Sequence, residues 1–382
     1  MKQQPLTRLP LFVLLLCLLL SGCGQHTTSQ QTAWDNLQFD YSLDLTYADQ
    51  FAVDYYQGGY AKITIGGTDT YLLVPEGAAV PDQLPDTVTV LQQPLDSIYL
   101  VATSAMDLFR ELDALDAISL SGTDAAGWYI PQAQQAMEEG RITYAGKYSA
   151  PDYEVILSQD CDLALESTMI YHTPEVKEQL EKFGIPVLVE RSSYESHPLG
   201  RIEWLKLYAV LLDKEETAEV YFSKLTDKLS PVLEQPNTGK TVAFFYITSN
   251  GAVNVRKSGD YIAKSIELAG GQYIFSDLAS EDGNALSTMN MQMEAFYAGA
   301  RDADILIYNS AIDGELQTMD QLFAKSPLLK DFQAVKTDNV WCTGKNLFQE
   351  SLGLGDLITD LHTILTADEP ENLQLTYLHH VQ

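Results

Sequence analysis

The sequence predicts an α/β protein of two Rossmann-like lobes joined by one long backbone helix, with a strand-rich N-terminal extension. Three observations carry that expectation. Between residues 95 and 365, short aliphatic runs alternate with amphipathic stretches, the pattern of a mainly parallel sheet flanked by helices. One segment interrupts the alternation, "DKEETAEVYFSKLTDKLSPVL", where Ala218, Phe222, Leu225 and Leu229 form a single apolar stripe over about five turns. The third observation is repetition. "APDYEVILSQDCDLALES" from Ala150 and "NMQMEAFYAGARDADILIYNS" from Asn290 each put a glutamate (Glu154, Glu294) in the first turn of a helix. Each then puts an aspartate (Asp162, Asp304) before an apolar strand.

The first element is "MKQQPLTRLPLFVLLLCLLLSGC", with Lys2 and Arg8 ahead of an apolar core over residues 9–20. That core is too short to span a bilayer comfortably and suits an export signal, so residues 1–22 are predicted to be a signal peptide. Leu20-Ser21-Gly22-Cys23 resembles the lipobox of bacterial lipoproteins. The resemblance implies acylation of Cys23 and an extracytoplasmic protein anchored to the cell membrane by N-terminal lipid. Residues 23–42 then read as a polar tether. Cys17 leaves with the signal, and Cys161 and Cys342 sit beside apolar residues in different halves, so two free buried thiols are expected.

Residues 43–94 hold "FAVDYYQGGYAKITIGG", "TYLLVP" and "TVTVLQQP", alternating strands around a Gly-Gly turn with no evident role. Over residues 95–212, "SIYLVAT" precedes a helix at 105–112 and "AISLSG" one at 131–139. Residues 151–159 precede "DLALES", and "TPEVKEQLEKFG" precedes "IPVLVE". Asp213 and Glu216 stand in capping-box spacing at the start of the backbone helix, residues 213–233. In the second lobe, residues 234–382, "TVAFFYIT" is a strand and "DYIAKSIELAGG" a helix capped by Asp260 and stopped by Gly270. "DILIYNS" and a closing "NVWCTG" supply further strands, with "DQLFAKSPLL" helical between them.

The chain carries 53 acidic and 23 basic residues, net −30, which argues against nucleic acid or an anionic lipid surface as partner. "NTGKT" from Asn237 is no phosphate loop: Glu234 stands where that motif needs glycine, and a strand follows instead of preceding it. It reads as a turn. No Gly-x-Ser-x-Gly elbow occurs, and no nucleophile–base pair with motif support points to an enzyme.

The order and spacing of "SIYLVATSAMDLFRELDALDAI", "YEVILSQDCDLALES", "LEKFGIPVLVE", "IELAGG" and "MEAFYAGARDADILIYN" resemble the helix-backbone class of bacterial substrate-binding proteins. These serve ABC importers of iron-siderophores, haem and cobalamin. The resemblance covers about residues 95–365 and implies a monomeric, non-enzymatic receptor without an intrinsic cofactor. Its cargo would be a metal chelate or cobalamin, held between the lobes and passed to an ABC permease dimer with its ATPase. In that family a glutamate in each lobe docks onto arginines of the permease, a role that falls here to Glu154 and Glu294. The competing role for both is to complement their helix dipoles.

Ligands of open α/β sheets lie beyond the carboxyl ends of the strands. The loops expected there supply Thr103, Ser104, Trp128, Tyr129, Glu166, Tyr171, Arg191, Tyr194 and His197 from the first lobe. The second supplies Tyr246, Asn250, Arg256, Lys257, Asn309, Trp341 and Lys345. Rigid aromatic area and scarce cations suit a bulky, partly anionic complex. A competing set, His172, His197, Glu166 and Glu195, has the chemistry for a bare divalent metal. A third reading is an extracytoplasmic enzyme on the same bilobal scaffold.

Overall fold

A computed structural model describes residues 33–279, 287–370 and 373–382; Cys23 and the predicted signal peptide lie outside the described residues. The strand-rich extension forms its own sheet: β1 (Phe39–Ser42), β2 (Phe51–Tyr56), β3 (Tyr60–Ile65), β4 (Asp69–Val74) and β5 (Val88–Gln92), paired in that order. All its pairings are antiparallel except β4 with β5. The Gly58-Gly59 turn between β2 and β3 has φ of +89° and +83°, the region where a side chain is strained and glycine is not. Ala61, Ile63 and Ile65 alternate into the core along β3.

The first lobe follows with β6 (Ile98–Leu100), β7 (Ile118–Ser121), β8 (Thr143–Tyr144), a small hairpin β9 (Gly146–Lys147) and β10 (Ala150–Pro151), then β11 (Leu163–Ser167) and β12 (Val187–Glu190). Its five-stranded sheet is wholly parallel, in the order β12-β11-β6-β7-β8. The order reverses between β6 and β11, which opens a crevice at their carboxyl ends.

The second lobe contains β13 (Thr241–Ile247), β14 (Val253–Arg256), β15 (Gln272–Tyr273), β16 (Thr288–Met291), β17 (Ile305–Tyr308), β18 (Val340–Thr343) and β19 (Leu378–His380). Only its centre is parallel: β13, β17 and β18, with β15 beside the start of β13. Outside that centre the pairings are antiparallel, β14 with β13, β16 with β14 and β19 with β18, so the expectation of a mainly parallel sheet holds in full for the first lobe alone. After β13 the chain reverses through a tight turn at Gly251 (φ +82°) with no helical crossover. "NVWCTG" does not close the sheet either, because β19 returns outside it.

The repeated sentence in the sequence has a shared structural meaning. Asp162 Oδ2 accepts the backbone N–H of Ser97 at 2.9 Å, and Asp304 Oδ2 accepts that of Thr241 at 2.8 Å. In each lobe, then, an aspartate ahead of one strand ties down the start of its parallel neighbour. Asp260 caps its helix (Tyr261–Leu268) through Ile262 N, as expected, and Gly270 follows it with φ +88°. "NTGKT" is a turn, in which Asn237 Oδ1 accepts Gly239 N.

Two helices join the lobes. Glu215–Leu233 is the expected backbone helix, with Ala218, Phe222, Leu225 and Leu229 all buried. Its predicted capping box is absent: Asp213 sits at φ +55°, and its carboxylate accepts a hydrogen bond from Gln93 Nε2 instead. The helix before it, Pro198–Leu211, carries no amphipathic period in its sequence, and every one of its residues is buried. A helix sealed on all sides shows no amphipathic stripe. Part of the seal is the N-terminal sheet. Glu203 accepts the N–H groups of Thr46, Tyr47 and Ala48, and Glu195 those of Asp49 and Gln50. Lys206 Nζ donates to Asp44 O at 3.0 Å, and Tyr71 Oη to Val187 O. One hydrophobic core therefore runs from Phe51 through Trp204 to Leu365.

Candidate ligand cleft

The carboxyl ends of β6 and β12 meet at a polar cluster. Ser104 Oγ donates to Glu190 Oε2 at 3.2 Å, while Glu190 Oε1 accepts Ser192 N at 2.8 Å. The second lobe reaches the same end of the first. Gln349 Oε1 accepts Tyr129 N at 2.7 Å, and its Nε2 donates to Gly127 O at 2.8 Å. Ser351 Oγ donates to Ser104 O, and Leu352 N to the buried Asp107. Burial raises the Asp107 carboxyl, partly offset by Arg110. Residues 349–352 thus form a floor on which the lobes meet, beside the first-lobe crevice.

Of the residues predicted for this cleft, several stand where a ligand could reach them. Tyr129 and Tyr171 are exposed, and Arg191 lies 4.1 Å above the Tyr194 ring with an Nη within 3.3 Å of Tyr171 Oη. These four aromatic and cationic groups belong to one lobe. Lys345 is exposed beyond β18, and Lys257 is half-buried beyond β14.

Others are corrected by the structure. Trp128 and Trp341 are sealed, with indole N–H groups on Ser121 Oγ and Asn339 Oδ1. Both are core residues; Trp341 belongs to β18 and not to the loop after it. Asn309 is buried, its Oδ1 accepting Ala311 N, and Asn250 folds back onto its own turn through Thr248 and Ala252. Tyr246 is half-buried within β13. Arg256 is spent on Asp260 at 3.4 Å and packs near Phe244 and Phe348, with 11% of its side chain exposed. His197 caps the helix Pro198–Leu211 through Leu199 N and stacks on Tyr47, and burial lowers its pKa.

The predicted metal set is not assembled. Glu195 is committed to Trp204 Nε1 and two backbone N–H groups, and burial lifts its carboxyl to about 7 despite them. His172 is exposed at the end of a short helical turn. Glu166 is fully buried in β11 with neither carboxylate oxygen partnered, and burial pushes it up to about 8. Among the described residues no group of three His, Cys, Asp or Glu side chains is placed to hold a metal ion. Cys161 and Cys342 are free thiols; Cys342 is buried and Cys161 partly so.

Glu154 and Glu294 are exposed in the first turns of the helices Tyr153–Ser158 and Met293–Ala300. Each of these helices leads into a central parallel strand, β11 or β17, and returns against it. Their starts therefore lie toward the carboxyl ends of the two sheets. Asp152 caps the first of them, whereas the second has no side-chain cap.

Residues 87–347 match the family model for periplasmic binding proteins. An uncharacterized lipoprotein of Methanocaldococcus jannaschii is 26% identical over 369 residues, covering 91% of this chain and 86% of that one. Among solved structures, the periplasmic haem-binding protein HutB of Vibrio cholerae matches with a TM-score of 0.58 at 17% identity, over 71% of this chain and 98% of that one. An Fe3+-hydroxamate transport protein of Saccharomonospora viridis matches at 0.53 and 19% identity, over 72% and 94%. The vitamin B12-binding protein BtuF of Vibrio cholerae matches at 0.51 and 17%, over 71% and 97%. At such identities the likeness is one of fold. Strands β1–β4 precede the stretch that the family model matches.

Proposed function

We propose, from the premise that this chain belongs to the periplasmic binding protein family, that it is the receptor of an ABC importer and captures an iron complex or a cobalamin between its lobes. The family is a transporter binding-protein class and is not enzymatic. The observation that carries the reading is the lobe junction. Two α/β lobes joined by two successive helices meet through Gln349, Ser351 and Leu352, beside the first-lobe crevice at the carboxyl ends of β6 and β11. Exposed Tyr129 and Tyr171, and the Arg191–Tyr194 stack, give that side rigid contact area and positive charge. Relatives of the same fold bear the names of haem, hydroxamate and B12 carriers, which fits a chelate as cargo. The bare-metal reading loses support, because Glu195, His197 and Glu166 are committed elsewhere or sealed, which leaves His172 alone exposed among its four ligands. Equilibrium binding to haem, ferric siderophores, cobalamin and divalent metals tests the reading; binding of none of the chelates refutes it.

Delivery follows from the two exposed glutamates, one per lobe at matching points, which suit arginine partners on a two-subunit permease. Replacing Glu154 and Glu294 together by alanine should leave cargo affinity and melting temperature unchanged while sharply reducing uptake through the reconstituted permease. Full uptake by the double variant refutes docking. A lipid on Cys23 would hold the receptor at the membrane that houses the permease.

A further inference from the structure

Among the described residues, two basic residues lie almost wholly buried, Lys206 and Arg201, at 7% and 9% exposure. Lys206 has Glu203 at 3.3 Å and Glu219 at 3.2 Å. Among the described residues Arg201 has no carboxylate and no side-chain hydrogen bond, and its Nε is sealed without a partner. Scarcity of acid does not explain this in a chain of 53 acidic residues. Its guanidinium lies over the Tyr261 ring at 4.0 Å, and that contact crosses the lobes: Arg201 is in the helix before the backbone helix, Tyr261 opens the helix after β14. Asp260, the acid next to Tyr261, is consumed by Ile262 N and Arg256. Nε is the sealed atom of the guanidinium, and among the described residues its two terminal nitrogens make no hydrogen bond.

A buried charge normally finds an opposite charge, because stacking on an aromatic ring offsets only part of its desolvation. A planar fork fixed from behind by a ring, with its two outer nitrogens free, matches a carboxylate in bidentate geometry. We propose that Arg201 is the anion-recognition residue of the cleft and that the cargo is a chelate bearing a free or iron-bound carboxylate. This rests on the receptor reading above and narrows it against neutral hydroxamates and amide-decorated corrinoids.

The test uses the purified mature chain with four probes: haem and ferric citrate, which carry carboxylates, and ferrioxamine B and cyanocobalamin, which do not. The wild type should bind at least one carboxylate probe. Arg201→Met should weaken that binding at least tenfold, and Arg201→Lys by less, while the melting temperature of Arg201→Met holds or rises because an unpaired buried charge is gone. A purely structural stacking role predicts the reverse, a lower melting temperature with unchanged affinity, and that result overturns the proposal. Should Arg201→Met fail to fold, full affinity in Arg201→Lys overturns it as well, since the lysine lacks the fork. Binding of only ferrioxamine B or cyanocobalamin refutes the carboxylate while sparing the receptor; binding of no probe refutes the receptor reading itself.

Discussion

Replacing Glu203 by alanine should release residues 46–48, the connection between β1 and β2, from the first lobe and weaken the seat of the N-terminal sheet. The carboxylate is fully buried and accepts three consecutive backbone N–H groups, from Thr46 at 2.9 Å, Tyr47 at 2.8 Å and Ala48 at 2.9 Å. It also neutralises Lys206, whose other acidic partner, Glu219, is 58% exposed and screened by water. Each hydrogen bond to a charged acceptor contributes about 1.5–3 kcal/mol, though three on one group do not add. Removing one partner of a buried ion pair costs about 3–5 kcal/mol. The alanine variant should therefore lose about 3–5 kcal/mol in urea unfolding, and the amides of Thr46, Tyr47 and Ala48 should lose their protection from hydrogen exchange. Glu203→Gln keeps one acceptor oxygen but turns an NH2 group toward the backbone donors, so an intermediate loss is expected. A loss below about 1 kcal/mol in the alanine variant, with those three amides still protected, would refute the claim that this carboxylate anchors the sheet.

Two further outcomes are expected. Burial pushes the Glu166 carboxyl from 4.5 to about 8, so the native chain keeps a proton that the unfolded chain releases. Its contribution is complete below the unfolded pKa and is lost as pH rises through the native one, on the order of 3–5 kcal/mol in all. Glu166→Gln should flatten the decline of urea midpoint between pH 5 and pH 8, and parallel profiles for variant and wild type would contradict the burial argument. Cys23→Ala should move the protein from the membrane to the soluble fraction, and unchanged retention in the membrane would rule out the lipid anchor.

Legibility in the sequence tracked the range of the forces involved. Local signals were readable: the stripe from Ala218 to Leu229, the Asp260 cap, and the paired aspartates Asp162 and Asp304 each depend on residues within one or two elements. The site was read less well, for a reason of register. Trp341 and Glu166 lie inside strands and not in the loops after them, and a shift of one position along a strand turns a side chain to the opposite face of the sheet. Arg256 lies on a returning antiparallel strand that the expected parallel grammar did not contain.

The role of the N-terminal sheet and the existence of the helix Pro198–Leu211 escaped together, because each explains the other. The strands of the extension could be read, but their partner lies some 150 residues away, in carboxylates that look like ordinary helix surface. The helix shows no apolar stripe because that sheet covers the side that would otherwise face water. A helix sealed all round still carries Arg201, Glu203 and Lys206, and each charge needs a partner inside the molecule or in its cargo. Glu203 finds the backbone of residues 46–48, and Lys206 finds Glu203, Glu219 and Asp44 O. Among the described residues the chain supplies nothing for Arg201 but the Tyr261 ring. The same burial that hides this helix from a periodicity reading thus leaves one guanidinium, in contact with the second lobe through Tyr261, without a counter-charge among the described residues, the position proposed above for a carboxylate of the cargo.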